Sequence, residues 1–314
     1  MANNLQNTMN AVLATAFGMI VERNPSLAAI TVAPDLQGQR PVVDGSVVIR
    51  VPLTKAAVDF DPAVGLVDQD TAFGKYTVTI NKKKQANFNI NVVEVGSDQN
   101  AQEVITLAAE EIANAIGVAV MTDVFAAAAD ATYFPYQKVI AIGDGSYEDM
   151  VALDGILDDA TAYGDRVAVT NTSLYGELLL DERVIQSNTN AGSDAIQTAE
   201  LTDVAGFTIA KAARLKTATA RGFATNGYGL AFVPVLPVDL QTEFNLPKNA
   251  EIGVYTDPTT GISMFWQAWY DPQKVKARIS ALLFYGIGKL RPEALVRLVS
   301  TGSDVLPDPE DFPA

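Results

Sequence analysis

Few residue types in this chain could carry chemistry. It has 314 residues, with no His and no Cys. The commonest general base, the commonest metal ligand and the best nucleophile are therefore missing. Disulfides and thiol chemistry are excluded, and cysteine usage says nothing about the redox compartment. Carboxylates, Lys, Ser and Tyr remain. Asp154, Asp158 and Asp159 stand at i, i+4 and i+5, where carboxylates on a helix could pair. The same spacing is that of a solvated acidic face, which is the reading adopted. Gly143-Asp144-Gly145-Ser146 lacks the spacing of a G-x-S-x-G nucleophile elbow, and Ser146 reads as a helix cap. Gly222 with Gly227-Tyr228-Gly229 is not a dinucleotide fingerprint, and there is no Walker A sequence. Asn188 and Asn190 before Gly192 resemble a calcium loop, but Gly192 and Glu200 fall at the wrong offsets. These absences count against catalysis without forbidding it, and no cofactor and no metal are expected.

Composition narrows the partners. The chain is 48% hydrophobic with a mean hydropathy of +0.14, enough for a large core in one elaborate domain or two modest ones. A net charge of −15 argues against wrapping nucleic acid tightly and against anionic membranes. The charge is segregated: residues 138–165 are strongly acidic, whereas 204–238 and 272–292 carry only basic charges. The basic stretches lack the interleaved aromatics of a nucleic-acid module, so salt bridges between subunits are their expected use. Met1 to Val21 carries no charged side chain but lacks the basic start of a signal peptide, and Ala11 to Val21 is too short to span a bilayer. A soluble intracellular product is expected.

The elements that must position these residues centre on residues 97–130. Ser97 is a good N-cap, and apolar residues recur at Ala101, Val104, Ile105, Ala108, Ile112, Ala115, Ile116 and Ala119. A helix of that length is a rod of roughly 50 Å. Its first half is amphipathic, with Glu103, Glu110 and Glu111 on the wet side. From Ala115 onward it is apolar almost all round, which predicts burial on every side.

Ahead of this rod, residues 3–23 form a predicted amphipathic helix ended by Asn24 and Pro25. It is either a docking helix on its own core or an arm reaching a neighbour. Val47, Ile49 and Val51 then alternate with Ser46, Val48 and Arg50, Tyr76, Val78 and Ile80 with Thr77, Thr79 and Asn81, and Phe88, Ile90 and Val92 with Asn87, Asn89 and Asn91. Period-two alternation predicts strands covered on one face. The acidic stretch from Thr54 to Gly74 is too long for a tight turn, so two strands run out and back around an irregular tip. Such a hairpin is not stable alone, and the chain offers no obvious cover for it; another subunit is a candidate. Lys82–Lys84 reads as a solvated bend.

Behind the rod, residues 133–245 read as an α/β block: a helix over 146–163, a buried strand over 167–170, and a helix from 174 capped by Thr172 or Ser173. A polar mobile loop over 186–200 follows, then a strand centred on Gly206 and a tight turn at Asn226-Gly227. The prolines of residues 230–238 predict an edge or extended segment. After Glu251 two strands surround an Asp257–Gly261 turn, and Val275, Ala277, Ile279 and Ala281 alternate with Lys274, Lys276 and Arg278. The acidic, proline-rich tail from Thr301 is expected to be disordered.

In this order the chain resembles the major capsid proteins of tailed bacteriophages, of the Hong Kong 97-like fold. The most specific segment is Tyr285 to Leu298, YGIGKLRPEALVRL, a small-apolar run followed by Arg-Pro-Glu-Ala; residues 167–179 and 203–212 are also similar to family segments. The resemblance implies an α+β fold. Its parts would be an N-terminal arm (1–41), an extended loop of two long strands (42–96) and a spine helix (97–134). An axial domain (135–245), peripheral strands (246–284), a closing axial strand (285–300) and an acidic tail (301–314) would follow. It implies a non-enzyme that self-assembles through pentamers and hexamers into an icosahedral virion shell, built in the host cytoplasm and enclosing double-stranded DNA without sequence-specific binding. The partners implied are copies of the chain itself, a separate scaffolding protein, since the spine starts too early for a fused one, and a portal protein. No membrane is implied. Expected assembly contacts are Lys55, Asp59, Asp61, Asp68, Asp70, Lys75, Lys274, Lys276 and Arg278. Some family members crosslink a loop Lys to a neighbour's Asn; Lys55 and Lys75 are the loop lysines here. A cellular nanocompartment shell of the same fold, similar to encapsulins, and a soluble α/β enzyme or binding protein are the alternative readings.

Overall fold

The structure is a computed structural model. It describes residues 31–32, 44–52, 73–91, 98–159, 164–184, 201, 203–212, 215, 219–235, 251–256, 262–271 and 276–304. The expected N-terminal helix, the acidic tip, Ser97, the loop over 186–200 and the tail beyond 304 lie outside these residues.

In chain order the elements are β1 (Thr31–Val32), β2 (Ser46–Pro52), β3 (Phe73–Thr79), β4 (Lys82–Asn91) and helix α1 (Asp98–Ala128). Then come β5 (Gln137–Val139), α2 (Tyr147–Asp159), β6 (Arg166–Thr170), α3 (Thr172–Leu180), β7 (Asp203–Val204), β8 (Phe207–Lys211) and β9 (Ala220–Asn226). The last are β10 (Leu230–Val235), β11 (Glu251–Thr256), β12 (Ser263–Asp271), β13 (Lys276–Lys289) and β14 (Leu295–Val299).

The first sheet is ordered β1-β10-β13-β12-β11, with β4 also paired to β13. At 14 residues, β13 is long enough to carry β12 and then β10 along one side while β4 runs along the other. Its alternate residues Ile279, Ala281, Leu283 and Tyr285 enter one core with Ile112, Ile116, Val120, Met121 and Val124 of α1. Trp266, wholly buried, sits in the same core, and Tyr285 stacks on Phe232 at 4.9 Å between ring centroids. By length and composition α1 could cross a membrane over Glu110–Ala128, but these five side chains instead bind it to the sheet.

The second sheet is ordered β5-β14-β9-β6-β8-β7. Met150, Leu153 and Leu157 of α2 and Leu174 and Leu178 of α3 join Ala168, Phe207, Val296 and Leu298 in its core. Ala205 and Gly206, both at positive φ (50° and 81°), make the two-residue turn between β7 and β8.

Several expectations are corrected. The apolar half of α1 is not buried on every side: Ala115, Thr122 and Ala126 are exposed. These side chains are so small that leaving them in water costs little, so apolarity there does not measure burial. Asn171, not Thr172 or Ser173, caps α3, accepting from Leu174 N–H at 2.8 Å. The Asn226-Gly227 turn does form, with Gly229 N–H donating to the Asn226 carbonyl. It hands the chain from the second sheet to the first, so β10 leaves the α/β block and pairs with β13. Pro234 is tolerated because, among the described residues, β1 reaches only Ala231 and Phe232 and nothing pairs with β10 on that side at the proline. The expected closing strand is divided: residues 285–289 finish β13, and only β14 enters the second sheet, between β5 and β9.

The hairpin expectation also needs correction. β2 and β3 pair antiparallel, Val47 facing Val78, but their base is covered by the chain itself. Val47, Val78 and Ile80 pack on Val233 and Val235, and Val51 packs on Ala231 and Leu290. Pattern reading sees that one face is apolar; it does not see that β10 lies under it.

Candidate functional site

Among the described residues, the β2–β3 ribbon turns one face to solvent. Its seat is set by glycines: a Cβ on Gly288 would lie 2.3 Å from a Val78 methyl, and one on Gly286 would lie 2.7 Å from the Thr79 carbonyl oxygen. β3 therefore crosses β13 at backbone distance, which only glycines allow. With the apolar face seated, period two turns Ser46, Arg50, Phe73, Lys75, Thr77 and Thr79 to solvent. Arg50 is directly opposite Lys75 in the register. Like charges across a ladder repel. Neither has an ion-pair partner among the described residues, and Phe73 beside them is 47% exposed.

The seat is tied to α1. The alternating Lys82 and Lys84 of β4 both reach Asp123, at 3.3 and 2.8 Å, and the Tyr285 hydroxyl donates to the same carboxylate at 2.7 Å. Burial alone would raise the Asp123 carboxyl; these donors outweigh it and hold it below the usual carboxylate range. Burial and the adjacent Asp123 push the Tyr285 phenol upward. Lys82–Lys84 is thus not a solvated bend: Lys83 alone turns outward, onto Asp44 at 2.5 Å. Beyond the helix, Tyr133 donates to the Leu290 carbonyl at 2.6 Å, and burial pushes its phenol up to about 12.

In the second sheet the polar centre is Glu177 with the buried Arg221. The guanidinium reaches the carboxylate at 2.5 Å and the Ile140 carbonyl at 3.1 Å, and also bonds the Ala141 carbonyl. Glu177 accepts in addition from Gly143 N–H, Gly145 N–H and Ser173. Burial would raise its carboxyl; Arg221 and the backbone donors hold it low instead. The Gly143–Gly145 loop is therefore a cradle around one structural carboxylate. Ser146 caps α2 as expected, bonded reciprocally to Asp149. The acidic face of α2 is not wholly solvated, since Arg166 from β6 pairs with Asp154 and Asp158.

Among the described residues there is no cluster of three carboxylates fit for a metal ion. The conspicuous acids Asp123, Glu177, Asp154 and Asp158 are each occupied by a cation of the fold. Of the assembly residues expected from sequence, Lys75 is on the exposed face of β3. Lys276 and Arg278 lie two apart on β13, in register with Asn91 and Asn89 of β4, and Arg278 is half-buried. Lys55, Asp59, Asp61, Asp68, Asp70 and Lys274 are outside the described residues. Sequence reading missed Arg50, Phe73, Asp123, Glu177 and Arg221. For Arg50 a signal existed, since it stands between Ile49 and Val51 and so falls on the polar face of its strand; the others depend on contacts between distant segments.

No family model and no curated protein matches the sequence. Solved structures do. The capsid structure of the cyanophage P-SCSP1u matches over 88% of this chain and 89% of its own, at 16% identity and a TM-score of 0.51. The virus-like particle from Pyrococcus furiosus matches over 92% and 97%, at 11% identity and a TM-score of 0.50. The chain has the α+β fold of phage capsid proteins.

Proposed function

We propose that this chain is the major capsid protein of a tailed phage, a non-enzymatic subunit that tiles with copies of itself into a closed shell around double-stranded DNA. The observation that carries the reading is the fold likeness to the cyanophage capsid over nearly nine-tenths of both chains. Three physical features support it. The acids Asp123, Glu177, Asp154 and Asp158 are committed to holding the fold together. The β2–β3 ribbon presents a cationic face with an exposed aromatic. A net charge of −15 suits a container that must not grip packaged DNA.

In this reading a closed shell forms through heterologous contacts, each modest and many acting together. The divisions into arm, extended loop, spine, axial and peripheral parts carry over as names for segments of the proposed subunit, with a separate scaffolding protein and a portal protein as partners. Virion shell and assembly in the host cytoplasm follow from the same reading.

The test is to express the full chain, with and without candidate scaffold, and to examine it by sedimentation velocity and negative-stain microscopy. Closed shells are expected. A stable monomer under all conditions rejects the proposal. Shells that enclose protein cargo and never DNA during infection would transfer the reading to a cellular nanocompartment.

A further inference from the structure

An exposed strand edge is a row of unpaired N–H and C=O groups that accepts another strand. Proteins blunt such edges with charged residues or Pro, with very short strands, or by covering them. Most edges of the described fold carry one of these devices. β4 carries Lys82–Lys84, β10 carries Pro234, β2 carries Arg50 and Pro52, and β3 carries Lys75. β7 has only two residues. On β5 the Val139 N–H is taken by the Asp304 carboxylate at 2.7 Å. β11 is the exception. It ends the strand order beyond β12, and among the described residues no strand pairs with its outer side. Its six residues, EIGVYT, include no Lys, Arg or Pro, and its one charged residue, Glu251, stands at the first position. Val254, near its middle, leaves 45% of its surface in water.

β11 is suited to pairing with itself. Opposed residues on neighbouring antiparallel strands point to the same face, so two copies related by a two-fold axis must pair residues of like parity. Gly253 stands opposite the core residue Trp266, so Gly253 and Tyr255 lie on the α1 side of the sheet, and Ile252, Val254 and Thr256 lie on the other. A two-fold axis through Val254 sets that residue against its own counterpart, Ile252 against Thr256, and Gly253 against Tyr255. Val254 then meets a β-branched partner in place of water. At Gly253 a Cβ would lie 2.5 Å from the Trp266 indole, so the strand has no side chain there. The Tyr255 ring of the second copy would cover that bare backbone, as aromatic residues do across from edge glycines. Glu251 falls beyond the paired stretch, so no like charges are opposed.

We infer that β11 of one copy pairs antiparallel with β11 of a second copy about a two-fold axis through Val254, which joins the β13-β12-β11 runs of both into one continuous sheet. The occupant is a second copy because the strand is its own complement in this register. In the shell reading the contact joins neighbouring subunits across a two-fold axis; as a dimer contact it does not need that reading.

Because the chain has no Cys, a single introduced thiol tests the pairing directly on the full chain. Val254→Cys under mild oxidation should give a disulfide-linked dimer on non-reducing gels, since directly opposed Cα atoms lie about 4.5–5.5 Å apart, within disulfide reach. Val151→Cys on α2, similarly exposed at 47%, is the control. It should crosslink roughly tenfold more slowly or less, because nothing holds two copies of it together. Val254→Lys gives β11 the charge that other edges carry. It should melt like the parent, since the side chain is exposed in the single subunit, and should raise the concentration needed for self-association in sedimentation velocity by roughly tenfold or more. If Val254→Lys melts lower, the two Cys variants decide alone. Crosslinking of Val254→Cys no faster than that of Val151→Cys overturns the inference, and so does parent-like association of a well-folded Val254→Lys. A parent chain that builds no shells while its Val254→Cys variant still crosslinks would count against the function proposed above and leave the β11 pairing standing.

Discussion

Gly288 lies directly beneath Val78, so close that a Cβ there would stand 2.3 Å from a Val78 methyl. That approach seats the β2–β3 ribbon on β13, with Gly286 beneath the Thr79 carbonyl as its companion. It also gives a physical reason for the small-apolar run at Tyr285–Lys289: two alternate positions of the strand must have no side chain.

Gly288→Ala is therefore expected to destabilise the subunit by about 1–3 kcal/mol, the usual cost of forcing volume into a packed site. The lesion should be local to the ribbon. Urea unfolding measures the loss, and limited proteolysis should find β2 and β3 cut sooner than α2 or α3. Pairing Gly288→Ala with Val78→Ala should recover part of the loss, because the two sites touch. Parent-like stability of Gly288→Ala would mean that the ribbon is not seated at this distance.

Asp123 joins three donors from two strands, and its loss should fall unevenly on them. Lys82 and Lys84 are 41% and 30% exposed at their side chains and can return to water. Tyr285 is wholly buried, and its hydroxyl has nowhere else to go. Asp123→Ala is expected to cost about 1–3 kcal/mol, most of it from the stranded phenol. In a double-mutant cycle with Tyr285→Phe, chemical denaturation should report a favourable coupling. Simple additivity would show that the two groups do not interact.

Much of the fold was legible because periodicity is local. The alternations of β2, β3, β4 and β13 and the 3.6-residue rhythm of α1 named their elements without help from partners. What escaped was relational. Nothing in the stretch 230–235 says that it leaves the sheet of β9 for the sheet of β13. Lys82 and Asp123 lie 41 residues apart, and Glu177 and Arg221 lie 44 apart. Such pairs are set by how layers stack, which single-strand patterning does not encode. The candidate site divides in the same way. Lys75 was visible as a charge on a polar face, but its meaning depends on Arg50 directly across the ladder.

Arg221 is the strongest case of a buried cation that holds segments together. Its side chain is 2% exposed, and it anchors Glu177 and the carbonyls of Ile140 and Ala141. Arg221→Met leaves the carboxylate without its counter-ion, for an expected loss of about 3–5 kcal/mol. Arg221→Met with Glu177→Leu removes both charges and should be the milder lesion of the two, although Gly143 and Gly145 lose their acceptor. Urea midpoints decide the order. If the double variant is much less stable than the single one, the carboxylate stabilises the glycine loop more than the ion pair does.

The pH dependence of stability follows from which groups are displaced and in which direction. Asp123, Asp130, Glu177, Asp181 and Asp304 all have carboxyls held below their ordinary values in the folded chain. A depressed carboxyl contributes stability that is fully present above its unfolded value, about 4, and is lost as pH falls through the lower folded value. Tyr133 is displaced the other way, to about 12. Its contribution is complete below the unfolded value, about 10, and is lost as pH rises towards 12. Between these limits the chain has no His and no Cys to titrate. Urea unfolding free energy should therefore be level from roughly pH 5 to pH 8, fall on the acid side below about pH 4, and fall again above about pH 10. Asp123→Asn should flatten part of the acid limb and leave the plateau level. A distinct step in stability near pH 6 or 7 would contradict this assignment, since no described side chain is placed to produce it.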